Sequence, residues 1–110
     1  MEFDYSYSFT AKAENDLEEI LRYIRDDLLN PSAATAFGRK LFESIDNVRN
    51  FPQSGMYVEN DFIANKNIRR VIIENYIMYY MTDDEKRIIY ILRIVYGKRN
   101  LEEIYRTIKG

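Results

Sequence analysis

Residues 88–105 read IIYILRIVYGKRNLEEIY, and their reading decides the fold. The run from Ile88 to Leu92 is wholly apolar, with Tyr90 its one polar-tipped member. One charge, Arg93, sits inside the apolar run, which breaks at Gly97. The basic pair Lys98-Arg99 follows at once. Asn100 then has the form of a helix N-cap, with Glu103 three residues later to complete a capping box. The stretch therefore predicts a buried strand that carries two cations to its own end, followed by a short helix. Tyr105 lies less than two helical turns beyond Arg99. Cations and a phenol at a strand–helix junction suit a phosphate-bearing partner better than a core.

Working upstream, two more apolar segments precede this strand. Ile68 to Ile73 is broken by Glu74-Asn75, and Tyr76 to Met81 is broken by Thr82-Asp83-Asp84-Glu85-Lys86. Such short connections favour antiparallel pairing. The third strand, Ile88 to Tyr96, is apolar on both faces, so it is predicted to be central and covered on one face by helices. The last helix, Asn100 to Lys109, is marginal at roughly ten residues and needs packing through Leu101, Ile104, Tyr105 and Ile108.

The N-terminal half supplies the helices. Phe3, Tyr5, Tyr7 and Phe9 alternate with Glu2, Asp4, Ser6 and Ser8, the period of a strand with one aromatic face. Thr10 is placed to cap a helix whose apolar stripe is Ala13, Leu17, Ile20, Leu21, Ile24 and Leu28. Glu14, Asp16, Glu18 and Glu19 crowd its first turns and Arg22 and Arg25 come later, as the helix dipole prefers. Asn30-Pro31 ends this helix and opens another, since proline suits the first helical position. Ala33, Phe37, Leu41, Ile45 and Val48 carry the second stripe to about Asn50. Small residues at 33, 34 and 36 let the two helices approach as an antiparallel hairpin, which Phe51-Pro52 closes and Gln53-Ser54-Gly55 turns. Met56, Tyr57 and Val58 are apolar enough to pack, and 60–66 read as a loop. The fold class is α+β in the order strand, helix, helix, strand, strand, strand, helix, as one domain over residues 1–110.

Composition narrows the chemistry. The 110 residues contain no cysteine and no histidine. Disulfides, thiolate metal sites and histidine-based nucleophile activation are therefore excluded. No cofactor or metal is implied. No apolar run reaches the ~18–20 residues of a membrane helix, so a cytoplasmic protein without a membrane partner is expected. The net charge of −2 hides an asymmetry: residues 1–65 carry six Lys/Arg against twelve Asp/Glu, and residues 66–110 carry ten against six. An anionic partner would meet the second half.

The segments AKAENDLEEILRYI, NPSAATAF, NFPQSG and IRRVIIENYIMYYMTDDEKRIIYILRIVYGKRN, in this order and spacing, resemble the RelE/ParE superfamily of bacterial type II toxins along nearly the whole chain. The resemblance implies a helical hairpin on a three-strand meander. It also implies a cognate antitoxin that drapes over the toxin. One branch resembles RelE and cuts mRNA in the ribosome; the other resembles ParE and poisons DNA gyrase. GKRNLEEIY is similar to the RelE-type segment that bears a functional arginine and tyrosine, roles that would fall on Arg99 and Tyr105. Arg69 and Arg70 match the basic residues on the first meander strand. A further arginine of that branch falls at about Ile77 here, which removes one phosphate-facing cation.

On the nuclease reading the ribose 2′-OH attacks the adjacent phosphorus without a metal. Arg99 and Arg70 stabilise the phosphoryl charge. Tyr105 acts as general base; about one tyrosine in a thousand is ionised at pH 7 from a reference pKa of about 10. The neighbouring cations Lys98 and Arg99 lower that pKa, the direction a base needs. Tyr96 could stack on RNA bases, Lys98 and Arg69 would bind RNA beside it, and Arg93, a charge inside an apolar strand, needs either a partner or a place on the rim of that RNA site. Three readings stay open at this point: a ribosome-dependent mRNA endoribonuclease, a gyrase-directed toxin that needs no Tyr105 chemistry, and a non-toxic partner-binding member of the fold.

Overall fold

The computed structural model describes residues 4–58, 67–98 and 107–108. Its elements run β1 (Ser6–Phe9), α1 (Ala11–Arg22), α2 (Pro31–Asn50), β2 (Met56–Tyr57), β3 (Arg69–Ile73), β4 (Tyr76–Asp83) and β5 (Ile88–Tyr96). The strands form one five-stranded sheet in the order β1-β5-β4-β3-β2. β1 runs parallel to β5, and the other neighbours are antiparallel. The architecture is α+β: two N-terminal helices followed by a mixed sheet.

Both helix starts are made by side chains. Thr10 accepts the Ala13 N–H at 3.1 Å, and Asn30 accepts the Ala33 N–H at 3.1 Å with Pro31 at the first helical position. Each cap satisfies one of the amides that a helix leaves without a partner. α1 does not stop at Arg22 but widens into one π-helical turn, Tyr23–Asp27. Leu29 then takes a left-handed φ of 51° and reverses the chain toward α2.

The apolar stripes pack as their spacing predicts. Ala13, Ile20 and Ile24 join Ala34, Phe37, Leu41, Ile45 and Val48 in a core with Ile73, Met78, Tyr80, Ile89, Ile91 and Ile94 of the sheet. Leu28, at the end of the first stripe, is instead 54% exposed. A second core lies on the other face of the sheet and contains Val58, Ile68, Ile77, Tyr79, Val95 and Ile108, with Leu92 against it. Burial on both faces explains why Ile88–Tyr96 reads as a continuous apolar run.

Several expectations are refined. β5 spans the residues expected of the third meander strand and is flanked on both sides, but β4 occupies the middle of the sheet. β4 runs two residues beyond Met81, because Thr82 and Asp83 pair with Ile89 and Ile88. Met56 and Tyr57 form a short edge strand on β3. The expected C-terminal helix over 100–109 lies outside the described residues, except for Thr107 and Ile108.

Candidate functional site

The register of β3, β4 and β5 puts Arg70, Tyr79 and Arg93 in one row across the sheet. What becomes of the two arginines depends on how the sheet edges are finished. β1 accompanies β5 only as far as Phe9, opposite Ile91. Beyond that point the edge of β5 has main-chain groups to satisfy. Thr10 supplies the first partners, its N–H donating to the Ile91 carbonyl at 3.0 Å and its hydroxyl to the Leu92 carbonyl at 2.9 Å. Asp16 supplies the next, accepting the Ile94 N–H at 2.9 Å.

The Asp16 carboxylate also takes two bonds from Arg93, Nε to Oδ2 at 2.7 Å and Nη2 to Oδ1 at 3.0 Å. The third arm of the guanidinium, Nη1, donates to Thr107 Oγ1 at 2.6 Å. Asp16 is 7% exposed and Arg93 9%. Arg93, expected to face RNA, is thus held in a buried bidentate pair that joins α1, β5 and the C-terminal residues. The helix dipole accounts for an acid in the first turns of α1 but does not reveal the partner that Asp16 finds. The signal was present: Asp16 is three residues after Ala13 and four before Ile20, on the face that buries, and Arg93 was the lone charge in an apolar strand.

Arg69 and Arg70 diverge, as neighbours on a strand must. Arg69 pairs with Tyr80 and Arg70 with Tyr79, whose rings enter opposite cores. Arg69 Nη1 donates to the carbonyls of Gln53 at 3.1 Å and Gly55 at 2.7 Å, and its Cζ lies 3.7 Å from the Tyr57 ring centroid. The buried Tyr80 hydroxyl accepts the Gly55 N–H at 2.9 Å and donates to the Pro52 carbonyl at 2.9 Å. Together they pin the loop between α2 and β2. Burial pushes the Tyr80 phenol above its usual range, partly offset by the Gly55 amide and Arg69. Arg69, expected to contact RNA, is engaged as a loop anchor.

Arg70 is half-buried, and its guanidinium has no hydrogen-bond or ion-pair partner among the described residues. Lys98 is exposed just past the end of β5. Tyr96 is 40% exposed and meets Tyr76 edge-on at 5.7 Å. Tyr76 in turn packs on Phe37 of α2, so Tyr96 belongs to the helical side. There it lines a cavity of about 650 Å³ with Tyr23, Ile24, Leu28 and Tyr76. The structure therefore separates the expected site residues: Arg69 and Tyr96 on the helical side, Arg70 on the other, Arg93 at the β5 edge. Arg99 and Tyr105 lie outside the described residues. Among the described residues no carboxylate cluster could hold a metal ion.

The family model described as the ParE toxin of the type II toxin–antitoxin system, parDE, matches residues 7–101. The chain belongs to the ParE toxin family. The ParE fold is shared with solved structures of low sequence identity. The chromosomal ParDE toxin–antitoxin system of P. aeruginosa superposes with a TM-score of 0.68 at 20% identity, over 86% of this chain and 98% of that one. A RelBE toxin–antitoxin complex from Mycobacterium tuberculosis gives 0.58 at 21%, over 84% and 98%. The isolated RelE toxin of E. coli gives 0.54 at 15%, over 94% and 99%. A search of curated proteins returns no match. As a ParE-family member this chain is the toxin of a type II toxin–antitoxin system, within the wider RelE/ParE structural superfamily. Among the described residues of this ParE toxin no helix is long and apolar enough to cross a membrane.

Proposed function

We propose that this ParE-family toxin acts as a non-nucleolytic inhibitor of DNA gyrase and is held inactive by a protein antitoxin. The observation that carries this reading is the Asp16–Arg93 pair. Metal-free RNA cleavage relies on several preorganised cations converging on one phosphate. Arg93 gives its guanidinium to Asp16 and Thr107, and Arg69 gives its own to loop carbonyls. Ile77, where a RelE-type enzyme would have a cation, is buried in the second core. An inhibitor that works by binding a protein needs no such convergence. The match to a ParE model, and not only to the wider superfamily, supports the same choice.

The antitoxin follows from the class. Related folds from P. aeruginosa and M. tuberculosis are described as a toxin–antitoxin system and a toxin–antitoxin complex. The basic balance of residues 66–110 suits an acidic partner segment.

The test is pulse labelling of DNA and protein synthesis within minutes of inducing the chain without an antitoxin. DNA synthesis should fall first, and the purified toxin should inhibit gyrase supercoiling while leaving ribosome-bound mRNA intact. A prompt stop in translation with cut mRNA would replace this reading with the nuclease one, and Arg99→Ala and Tyr105→Phe would then be the variants to make.

A further inference from the structure

Four tyrosines are exposed among the described residues: Tyr7 at 39%, Tyr23 at 47%, Tyr57 at 53% and Tyr96 at 40%. Two of them carry an arginine of this chain on the ring. Arg49 lies 5.4 Å from the Tyr7 centroid, and Arg69 lies 3.7 Å from that of Tyr57. The face of an aromatic ring is negative and attracts such a cation. Tyr23 and Tyr96 have no cation on the ring among the described residues. Arg22 and Arg25 are close to Tyr23 in sequence, but helix neighbours at that spacing do not face each other. Arg25 is also held by Asp26, at 2.8 and 3.0 Å.

Both of these rings line the cavity of about 650 Å³ at the tip of the helical hairpin. The π-helical turn makes its near wall. A turn of this kind takes up an extra residue and is frequent at functional sites. Here the Leu28 N–H donates to the Tyr23 carbonyl at 3.0 Å, and Leu28 leaves the core stripe to line the cavity. Tyr76 and Tyr96 make the far wall, edge-on at 5.7 Å. Burial raises the Tyr76 phenol, and the Tyr23 and Tyr96 phenols raise it further, so the three side chains form one electrostatic group. Among the described residues Glu74 is the one charged side chain of the lining. Its Oε1 accepts Lys40 Nζ at 2.6 Å in a half-exposed pair, and its Oε2 has no partner among the described residues. Exposed pairs of this kind are weak, so the carboxylate is open to a second cation.

We infer that this cavity is an aromatic cage for an arginine side chain of the protein on which the toxin acts. The inference rests on the function proposed above, in which that protein is DNA gyrase. The guanidinium enters between Tyr23 and Tyr96, its stem lies along Leu28, and its N–H edge turns to Glu74. Arginine suits the place better than lysine, because its planar head stacks on aromatic rings and sheds water more readily. Its fork also matches a carboxylate. The chain's own arginines already cover Tyr7 and Tyr57 in this manner, and the cage leaves the same position to a cation from outside. An acidic antitoxin segment does not suit it, since such a segment meets Glu74 as a like charge and finds its complement in the basic balance of residues 66–110. A nucleic acid could stack its bases on the rings, but its phosphates would approach the same carboxylate.

The test is the affinity of the full-length toxin for purified gyrase. Tyr23→Phe keeps the ring and should keep the affinity. Tyr23→Leu keeps an apolar side chain without the ring and should weaken binding roughly tenfold, the effect of one desolvated cation–π contact. Glu74→Lys should weaken it too, by placing a cation where the arginine enters. Circular dichroism and an unchanged affinity for the antitoxin show that each variant is folded. Equal gyrase affinity in the Phe and Leu variants overturns the cage and leaves the gyrase reading standing. A parallel loss of antitoxin binding assigns the cavity to the antitoxin and also overturns the cage. If the parent chain binds no gyrase, the gyrase reading falls, and the cage is decided by titrating isotope-labelled toxin with N-acetyl-arginine amide. Shifts of the Tyr96 ring signals that persist in Tyr23→Phe and vanish in Tyr23→Leu uphold the cage; no shift in the parent chain overturns it.

Discussion

Arg93 shows how much one charged residue can constrain a fold. Its pair with Asp16 is buried, bidentate and shared with a main-chain amide and Thr107. Removing one partner leaves a buried charge uncompensated, so Arg93→Ala should cost about 3–5 kcal/mol of stability in urea unfolding. Replacing both partners, Asp16→Leu with Arg93→Met, should recover most of that loss, because the desolvation penalty disappears with the charges. If the double variant is no more stable than Arg93→Ala, the pair is not the source of the loss. Tyr80 is the neutral counterpart. Tyr80→Phe leaves the Gly55 amide and the Pro52 carbonyl without their partner and should cost about 1–3 kcal/mol. Gly55 is required for space and not for its backbone angle. A Cβ there would lie 2.6 Å from the Tyr80 hydroxyl and 2.8 Å from the Arg70 carbonyl. The carbonyl belongs to β3 and cannot yield, so Gly55→Ala should destabilise by about 1–3 kcal/mol. The same urea experiment checks it.

At the scale of elements, the sequence was most informative where local chemistry decides structure. The caps Thr10 and Asn30 and the helix opener Pro31 lie where the helices begin, and α2 ends at Asn50 as its stripe predicts. Thr10 does more than cap. Its hydroxyl also donates to the Leu92 carbonyl, so Thr10→Ala should cost about 2 kcal/mol, the upper end of the range for cap removal. A thermal melt showing no change would mean that water replaces both bonds. β5 was legible end to end because burial on both faces leaves an unbroken apolar run. β2 was not, since two residues display no period and pair only because β3 offers its edge. The parallel partnership of β1 with β5 was also hidden, because alternation reveals that a strand exists but not which strand it joins. The separation of Arg69 from Arg70 was readable from strand geometry alone. Which face each took, and that Arg69 would find two loop carbonyls, depended on how the α2–β2 loop returns over the sheet.

The whole molecule is a sheet buried on both sides, with tyrosines inside. Burial raises the phenols of Tyr80 and Tyr76 above their ordinary value of 10.0. A raised phenol holds its proton more tightly in the folded chain than in the unfolded one. Its contribution is therefore fully present below about pH 10 and is lost as pH rises through the folded value. Thermal midpoints should be flat near neutrality on account of these groups and fall steeply above about pH 10, and Tyr80→Phe should flatten part of that fall. A midpoint as high at pH 11 as at pH 8 would contradict the burial of these rings. The parallel pairing of β1 has a further consequence, in time. Thr10 bonds to a residue 82 positions later in the chain. At synthesis rates of about 5–20 residues per second, Thr10 waits on the order of 4–16 s for that partner to be made. Most of the helical core can assemble during the wait, but the sheet stays incomplete until β5 has left the ribosome. Toxicity would therefore begin only after β5 has been made, and an antitoxin already present would meet a newly closed toxin and not an incomplete one.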